Sequence, residues 1–293
     1  MSRQRATRPG HDHYGAANNQ NLNSGARNVK SNRVKEGLRA GTPQIGTWLS
    51  LASPFAARFM ARTGFAWLNL DMEHSPATWE TAAQIFGAVA DAGGIPLVRV
   101  PFNSLENAKR ALDAGVYGVI FPMCNTREEA ERAVAACKYP PAGERSVGGG
   151  LQTLNFDAPA SEYYARANDQ ILVIVQAEHV DAVRNAEEIL SVPGIDAVFV
   201  GPNDLLASMH KTPKMETDDP QFVEALAHVK ATAEKFGVAP GIHVADAEAA
   251  RRRVAEGWKF IAISSELGFM LESANATVEQ AIGLAAGGVG ARY

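Results

Sequence analysis

The sequence has little cysteine, no long hydrophobic run and no excess of charge of one sign. Its two cysteines, Cys124 and Cys137, are too few for a disulfide framework and form no Cys-x-x-Cys metal motif. No apolar run approaches the roughly 20 residues that a membrane span needs. A net charge of -4 with a pI near 6.0 gives no basic surface for nucleic acid. We therefore expect a cytoplasmic protein with reduced thiols that binds neither a membrane nor nucleic acid.

Large aliphatic side chains are scarce in residues 1–35, which are rich in Asn, Arg and Gly. This segment can bury little surface, and we predict that it is a flexible polar arm. It lacks the apolar stretch of a secretory signal, while its arginines and scarce acids leave a mitochondrial address open. The 46% hydrophobic content suffices for one core. We predict one catalytic domain over residues 36–285 and a tail over residues 286–293.

Eight short apolar runs alternate with helical patterns from residue 45 onward. Between most of these runs, apolar positions recur at three- and four-residue spacing, and several such stretches end in Gly. Near-continuous apolar strands that alternate with helices indicate a parallel sheet covered on both faces. Eight such units in roughly 250 residues predict a (β/α)8 TIM barrel. The predicted strands are 46–51, 65–71, 95–101, 117–123, 171–178, 196–202, 239–244 and 260–265.

Two further features bear on this architecture. A doubly wound nucleotide-binding fold would need a glycine fingerprint directly after the first strand. The sequence there is SLASPF, which contains no glycine and therefore does not favour that fold. The segment between residues 123 and 171 is longer than one crossover helix requires. Long ordered connections in compact domains are usually functional, so we expect this segment to form a wall of the site.

Charged and polar side chains follow the predicted strands at their C-terminal ends, where TIM barrels hold their chemistry. Residues i and i+2 of a strand share a face, so neighbouring pairs in this set should point the same way. The sequence therefore predicts one polar rim. Its members are Asp71, Glu73 and His74 after the second strand, Arg99 at the end of the third, Gln176 and Glu178 at the end of the fifth, and Asp204 after the sixth.

These residue types suit chemistry on a 2-oxo acid. Glu178 and Asp204 offer hard oxygen ligands for Mg2+, Mn2+ or Co2+, with the rest of the shell left to water and substrate. Arg99 is a permanent planar cation that suits a carboxylate, and His74 can carry a proton near neutral pH. No lysine ends a predicted strand, so we expect neither Schiff-base chemistry nor an organic cofactor. A divalent ion would then have to serve as the electron sink.

Seven motifs between about residues 44 and 280 resemble the HpcH/HpaI aldolase family of class II, metal-dependent pyruvate aldolases. The resemblance implies a barrel of the phosphoenolpyruvate/pyruvate-domain type and a divalent metal held by Glu178 and Asp204. It also implies aldol cleavage of a 4-hydroxy-2-oxo acid to pyruvate and an aldehyde. The motifs are TGFAWLNLDMEHSP, PLVRVP, ALDAGVYGVIFPM, YPPAGERSVGGG, VQAEHVDAV, GIDAVFVGPNDL and FIAISSELG.

The same resemblance implies roles for individual residues. His74 would be the catalytic base, with Asp71 and Glu73 as its polar surroundings, and Arg99 would stabilise the enolate. Asp113 would raise the basicity of the histidine. Because Asp113 precedes the fourth strand, a neighbouring subunit would have to supply it, so we expect a dimer-based homo-oligomer, a hexamer, with an exchanged last helix. The residues implied to bind the 2-oxo acid are Arg99, Gln176, Gly201, Pro202 and Asn203.

Several departures from the family pattern leave alternatives open. Asn203 stands where many relatives have a small residue, and Glu266 stands where Asp is frequent. Macrophomate synthase, a divergent member, has a tyrosine in the long loop before the fifth strand, where this chain has Tyr163 and Tyr164. With Tyr163 in the substrate pocket, decarboxylation of oxaloacetate through the same enolate is the alternative activity. A non-catalytic barrel that serves as a scaffold is a third hypothesis.

Overall fold

Eight parallel strands close into a barrel in the computed structural model, which describes residues 29–282. Each strand pairs with its sequence neighbours, and the first pairs with the last. The predicted TIM barrel is confirmed, and every predicted strand overlaps an observed one. The strands are β1 (Gln44–Leu49), β2 (Trp67–Asp71), β3 (Pro96–Arg99), β4 (Gly118–Phe121), β5 (Leu172–Ala177), β6 (Ala197–Val200), β7 (Ala239–Val244) and β8 (Phe260–Ser265).

Helices connect the strands and cover the outside of the barrel. Many begin at a Ser or Thr whose hydroxyl accepts a hydrogen bond from a free N–H group of the first turn, as Ser104 does from Asn107. No helix of the described chain is both long and apolar enough to cross a bilayer. The helices are α1 (Arg33–Arg39), α2 (Pro54–Met60), α3 (Trp79–Asp91), α4 (Leu105–Asp113), α5 (Arg127–Cys137), α6 (Leu151–Asn155), α7 (Ala160–Gln170), α8 (Val180–Arg184), α9 (Ala186–Leu190), α10 (Pro202–Ser208), α11 (Pro220–Lys235), α12 (Ala247–Ala255) and α13 (Glu266–Ile282).

Aromatic rings fill the N-terminal half of the barrel interior. Trp67 of β2 stacks on Phe260 of β8 with ring centroids 4.3 Å apart, and Phe199 of β6 meets Phe260 edge-on at 5.8 Å. All three side chains are fully buried. Gly46 of β1, the strand between β2 and β8, packs against the Trp67 ring, where a Cβ atom would come within 2.0 Å of it. This aromatic layer is a solid floor beneath the C-terminal half of the barrel.

The helix α1 and the residue before it close the N-terminal end of the barrel. Asn32 caps α1 and donates hydrogen bonds to the carbonyl oxygens of Tyr117 (2.9 Å) and Gln170 (2.8 Å). Lys35 binds the carboxylate of Asp196 at 2.8 Å. These side chains satisfy backbone and charged groups that would otherwise be buried without partners.

The described part of the chain therefore begins to fold before the predicted boundary at residue 35, which falls inside α1. The sequence composition around this point is polar, but Val34 and Lys35 are buried because their partners come from distant parts of the barrel. Residues 1–28 of the predicted arm and the predicted tail over 286–293 lie outside the described residues.

The connection between β4 and β5 contains three helices, α5, α6 and α7. α6 contacts α3 and α4 on the outside of the barrel. No residue between 139 and 170 lines the cavity at the C-terminal ends of the strands. The expectation that this segment forms a wall of the site is therefore wrong for the described protomer, because its helices pack sideways against neighbouring helices.

Replacing Asn32 tests the closure of the barrel. Asn32→Ala removes a helix cap and two further hydrogen bonds, to the carbonyl oxygens of Tyr117 and Gln170, so we expect the free energy of unfolding to fall by about 2–4 kcal/mol. The control is Ser104→Ala, which removes a cap with a single hydrogen bond and should cost about 1 kcal/mol. Urea unfolding of both variants measures the difference, and equal losses would contradict this account.

Candidate active site

A cavity of about 250 Å³ lies at the C-terminal ends of the strands, above the aromatic floor. Side chains from β1, β2, β3, β5, β6, β7 and β8 or from the loops that follow them reach it. This is the end of a TIM barrel at which catalytic groups collect. The lining residues are Trp48, Ser50, Asp71, His74, Pro76, Arg99, Gln176, Phe199, Gly201, Pro202, Asn203, Asp204, Met215, His243, Ser265 and Leu267.

Asp71 and Arg99 form a two-pronged ion pair between the ends of β2 and β3. The carboxylate accepts hydrogen bonds from Arg99 Nε at 3.0 Å and Nη2 at 2.7 Å. Oδ1 of Asp71 also accepts the backbone N–H groups of Glu73 (3.0 Å) and His74 (3.2 Å). Burial raises the pKa of Asp71, but the hydrogen bonds and charge of Arg99 outweigh it and hold that pKa below its usual range.

The guanidinium of Arg99 is fixed on two sides and remains charged. It lies over the Trp48 ring, 4.6 Å from the centroid, and its Nε is 3.2 Å from Glu73 Oε2. Burial lowers the pKa of Arg99, but the Asp71 and Glu73 carboxylates reverse this effect. Among the described residues, the contacts with Asp71 and Glu73 use Nε and Nη2 of Arg99. The other terminal nitrogen, Nη1, remains available for a substrate oxygen.

Glu178 is a buried carboxylate beside Gln176, as their i, i+2 spacing predicted. Its Oε1 accepts the backbone N–H of Met123 at 2.9 Å, and its Oε2 accepts a hydrogen bond from Gln176 Nε2. Burial raises the pKa of Glu178 to about 7, and the negative charges of Asp204 and Glu73 add to this rise. A Cβ atom at Gly201 would fall 2.8 Å from Glu178 Oε2, so the backbone approaches the carboxylate closely.

The donor set around Glu178 fits a divalent cation with oxygen ligands. Oε1 of Gln176 is buried and has no hydrogen-bond partner among the described residues. The exposed Asp204, in the first turn of α10, adds a second carboxylate whose charge acts on Glu178. Within residues 29–282 no three His, Cys, Asp or Glu side chains gather into a metal cluster. Two carboxylates and an amide oxygen suit Mg2+ or Mn2+ completed by water and substrate, rather than a closed structural zinc site.

His74 lies at the mouth of the cavity with 63% of its side chain exposed. Its Nε2 is 3.9 Å from Glu73 Oε2, and its backbone N–H is held by Asp71. Burial raises the pKa of Glu73, and the Arg99 and His74 charges act against this rise. The imidazole is therefore anchored through its backbone and free to reach a ligand in the cavity.

The structure brings most of the predicted site residues together. Glu73 and Glu178 adjoin the cavity through their contacts with Arg99 and Gln176. None of the lining residues in the described chain is a lysine. The buried Lys35, whose pKa burial lowers to about 8, lies at the opposite end of the barrel against Asp196. The predicted residues that line the cavity directly are Asp71, His74, Arg99, Gln176, Gly201, Pro202, Asn203 and Asp204.

Asp113 and Tyr163 do not reach the cavity of their own protomer. Asp113 ends α4, which places it at the opposite end of the barrel, and it binds Arg145 Nη2 at 3.0 Å. Arg145 Nη1 donates to the hydroxyl of the fully buried Tyr163 at 2.9 Å. Contrary to the prediction, Tyr163 does not line the substrate pocket, because it packs in an aromatic cluster with Tyr139 and Phe156.

Sequence reasoning missed several groups at the site. Met123 has a positive φ of 49°, which turns its N–H toward Glu178, and nothing in the apolar run GVIFPM signals this turn. Met215 lies far beyond the end of β6 in a polar segment. His243, by contrast, lies near the C-terminal end of the predicted strand 239–244, a position from which the sequence indicates an approach to the pocket, and it does line the cavity. Its ring lies 5.7 Å from Trp48 in the cavity wall.

The sequence model of a family described as "HpcH/HpaI aldolase/citrate lyase" matches residues 44–273. The chain belongs to the HpcH/HpaI family. A 4-hydroxy-2-oxo-heptane-1,7-dioate aldolase of Escherichia coli is 36% identical over 245 residues, which cover 84% of this chain and 93% of that protein. The resemblance stated from the motifs is thereby confirmed.

Solved structures of HpcH/HpaI proteins have the same architecture. A family member from Burkholderia cenocepacia J2315 superposes with a TM-score of 0.80 at 36% identity, over 86% of this chain and 99% of that one. Macrophomate synthase superposes with a TM-score of 0.77 at 22% identity, over 87% of this chain and 90% of that one, which shows a shared fold. As a member of the HpcH/HpaI family, this chain is a carbon–carbon lyase that acts on small organic acids.

The half-buried His243 in the cavity wall generates a prediction for stability against pH. Its Nε2 lies 3.0 Å from the carbonyl oxygen of Ser264, which can only accept, so Nε2 carries the proton. Burial lowers the pKa of His243 from 6.5 to about 4. The unfolded chain therefore binds the second imidazole proton, on Nδ1, more readily than the folded chain, and stability present above pH 6.5 is lost as the pH falls toward 4.

We expect His243→Gln to weaken the pH dependence of the free energy of unfolding between pH 6.5 and 4, because the titrating group is removed. Urea unfolding at intervals across this range measures the effect. His228→Gln, on the exposed surface of α11, is the control and should keep the wild-type dependence. A His243→Gln curve parallel to that of the wild type would show that the imidazole is not buried in its neutral form.

Proposed function

We propose that this protein is a divalent-metal-dependent aldolase that cleaves 4-hydroxy-2-oxo acids to pyruvate and an aldehyde, and forms them in the reverse direction. The observation that carries the proposal is one cavity with a fixed cation, Arg99, on one side and two acids, Glu178 and Asp204, on the other. A 2-oxo acid has a carboxylate that can bind Arg99. It also has a ketone oxygen that needs an electron sink, on the side of Glu178 and Asp204. The similarity to a 4-hydroxy-2-oxo-heptane-1,7-dioate aldolase supports the same reaction class.

Glu178 and Asp204 would hold the metal ion, Mg2+, Mn2+ or Co2+, with Gln176 Oε1 as a further oxygen donor nearby. The bound ion would supply Lewis acidity toward the ketone oxygen and a template for the 2-oxo acid. Burial disfavours the ionised form of Glu178, and a cation beside it would offset that cost. No organic cofactor is part of the proposal.

Arg99 would bind the 2-oxo acid and stabilise negative charge as the carbon–carbon bond breaks. Its orientation does not depend on the substrate, because Asp71 holds one edge of the guanidinium and Trp48 covers its face. A donor that is already aligned needs no reorganisation when charge develops on the oxygen, which is the main source of electrostatic catalysis.

His74 would act as the base. His74 takes the proton of the C4 hydroxyl, and the C3–C4 bond breaks. The electron pair of that bond stays with C3. C4 leaves as the aldehyde carbon, and the pyruvate enolate is then protonated at C3 to give pyruvate. The exposed position of His74 at the cavity mouth supports this role, since the C4 end of the substrate lies farthest from Arg99.

The role of Asp113 depends on assembly. We propose that Asp113 of one subunit approaches His74 of a neighbour in a dimer-based homo-oligomer, a hexamer. Two observations support this: Asp113 is held by the buried Arg145 away from its own cavity, and α13 leaves Met270, Val278 and Ile282 at least half exposed. Apolar side chains at such exposure on one helix are typical of a surface that another chain covers.

The two alternative functions fit the site less well. The tyrosines that favoured an oxaloacetate decarboxylase are Tyr163 and Tyr164, and neither lines the cavity of the described protomer. A scaffold would not need the paired Asp71 and Arg99 or the buried carboxylate of Glu178. Aldol cleavage is therefore the activity that the geometry favours.

Glu178→Gln tests the metal assignment. The amide keeps the shape of the side chain but loses the ligand charge, so we expect metal-dependent pyruvate release to fall by about 100-fold or more. Pyruvate released from 4-hydroxy-2-oxo acids and, in parallel, from oxaloacetate is measured with metal-stripped protein before and after adding Mn2+. Calorimetric titration with Mn2+ gives a second readout.

The control for this change is Glu162→Gln, on the exposed face of α7. Full metal-dependent activity in Glu178→Gln would refute the metal assignment. Turnover of oxaloacetate without turnover of any hydroxy-oxo acid would replace the aldolase by the decarboxylase.

Arg99→Lys tests the role of the guanidinium. Lysine keeps the charge but cannot make the two-pronged contact with Asp71, so we expect kcat/KM for aldol cleavage to fall by about 100- to 1,000-fold. Arg127→Lys is the matched control, because Arg127 binds Glu131 through Nε at 2.8 Å on the exposed surface. Equal activity of the two variants would show that charge alone, without alignment, suffices at the site.

A further inference from the structure

Met215 forms part of the cavity wall although it is remote from every strand end. It belongs to the segment of residues 209–219 between α10 and α11, which we call the Met215 segment. The side chain of Met215 lines the cavity, and its sulfur accepts a hydrogen bond from Asn203 Nδ2 at 3.6 Å. Asn203 precedes the proposed metal ligand Asp204, so Met215 borders the reacting centre.

Ion pairs on both sides of Met215 fix the Met215 segment. Lys211 binds Asp219 across its base. Glu216, the residue directly after Met215, binds Arg252 of α12 and lies 4.0 Å from Arg253. A single surface ion pair contributes little to the free energy of unfolding, but several ion pairs in one segment restrict the backbone of that segment. The thioether is therefore held against the cavity by anchors that are not part of the catalytic rim.

The charges along the cavity wall are unequal. Among the lining residues that the structure describes, the guanidinium of Arg99 faces two carboxylates, Asp71 and Asp204. The two lysines of the Met215 segment do not change this balance, because Lys211 is paired with Asp219 and Lys214 is exposed outside the lining. The other polar lining residues are hydroxyls, amides and two histidines, so a second carboxylate on a ligand would find no second guanidinium or ammonium group in the described lining. Burying such a charge without a charged partner is costly.

We propose that Met215 sets the specificity for the aldehyde half of the substrate and selects an uncharged, apolar chain over one that ends in a carboxylate. This inference rests on the proposed function and deepens it. If the 2-oxo acid end of the substrate binds at Arg99, its carbon chain beyond C4 meets Met215, together with Pro202 and Leu267 of the lining. The preference would differ from the dioate named for the Escherichia coli relative.

The test runs in the direction of condensation, in which pyruvate C3 loses a proton and bonds to the aldehyde carbon. Butanal and succinic semialdehyde both have four-carbon chains and differ at the far end, a methyl group against a carboxylate. We expect kcat/KM to favour butanal by about 10-fold or more, the scale of discrimination when a buried charge lacks a partner. Exchange of the pyruvate methyl hydrogens with D2O, followed by NMR without aldehyde, tests the proposed function separately.

Variants at one position assign the preference to Met215. Met215→Lys adds a cation at the wall and should shift the ratio of kcat/KM by about 10-fold or more toward succinic semialdehyde, mainly through the KM for the aldehyde. Met215→Arg serves if the lysine variant folds poorly. Met215→Leu, which conserves volume and polarity, should keep the preference for butanal. Lys214→Gln, one residue away on the exposed side, is the matched control and should leave the ratio unchanged.

The outcomes separate the two proposals. Exchange of the methyl hydrogens together with a preference for succinic semialdehyde overturns the inference and leaves the aldolase intact. If the ratio of kcat/KM for the two aldehydes is unchanged in both Met215→Lys and Met215→Arg, the inference is likewise overturned and the aldolase remains intact. Absence of both exchange and condensation overturns the proposed function, and the inference fails with it.

Discussion

The ion pair between Asp71 and Arg99 is the contact on which the rest of the site depends. One carboxylate joins the ends of β2 and β3, orients the guanidinium, and holds the backbone N–H groups of Glu73 and His74. The anion clamp and the base are therefore positioned by the same atoms. A loss of Asp71 would misplace both, so the cation and the histidine cannot be treated as independent contributions to catalysis.

The acids opposite Arg99 impose a second constraint. Glu178 is buried, and the negative charges of Asp204 and Glu73 add to the effect of burial in raising its pKa. Two features of this chain act against that rise: the positive charge of Arg99, whose Nε also lies 3.2 Å from Glu73 Oε2, and the N–H of Met123, which a left-handed turn directs at Glu178. The close approach of Gly201 leaves no room for a side chain beside this carboxylate.

The barrel and the catalytic rim could be predicted from the sequence because both follow local rules. The strands appear as apolar runs, and the chain direction of a parallel barrel places residues such as Arg99 and Glu178 at one end. Three other features depend on tertiary packing. Lys35 is buried because Asp196 lies beneath it, Tyr163 is removed from the cavity by the buried Arg145, and Met215 reaches the cavity because Glu216 binds α12. No periodicity or motif encodes these long-range partners, and the proposed role of Asp113 would need a second subunit.

The aromatic floor formed by Trp67, Phe260 and Phe199 closes the barrel interior beneath the cavity. In the proposed binding mode, the 2-oxo acid end would lie at the buried Arg99 and Glu178, and the aldehyde end at the more exposed His74 and Met215. The substrate that enters last would then block the exit of the one that entered first. The aldehyde would depart before pyruvate in cleavage, and pyruvate would bind before the aldehyde in synthesis, so that the order of a two-substrate reaction would follow from three buried rings and the absence of a side chain at Gly46.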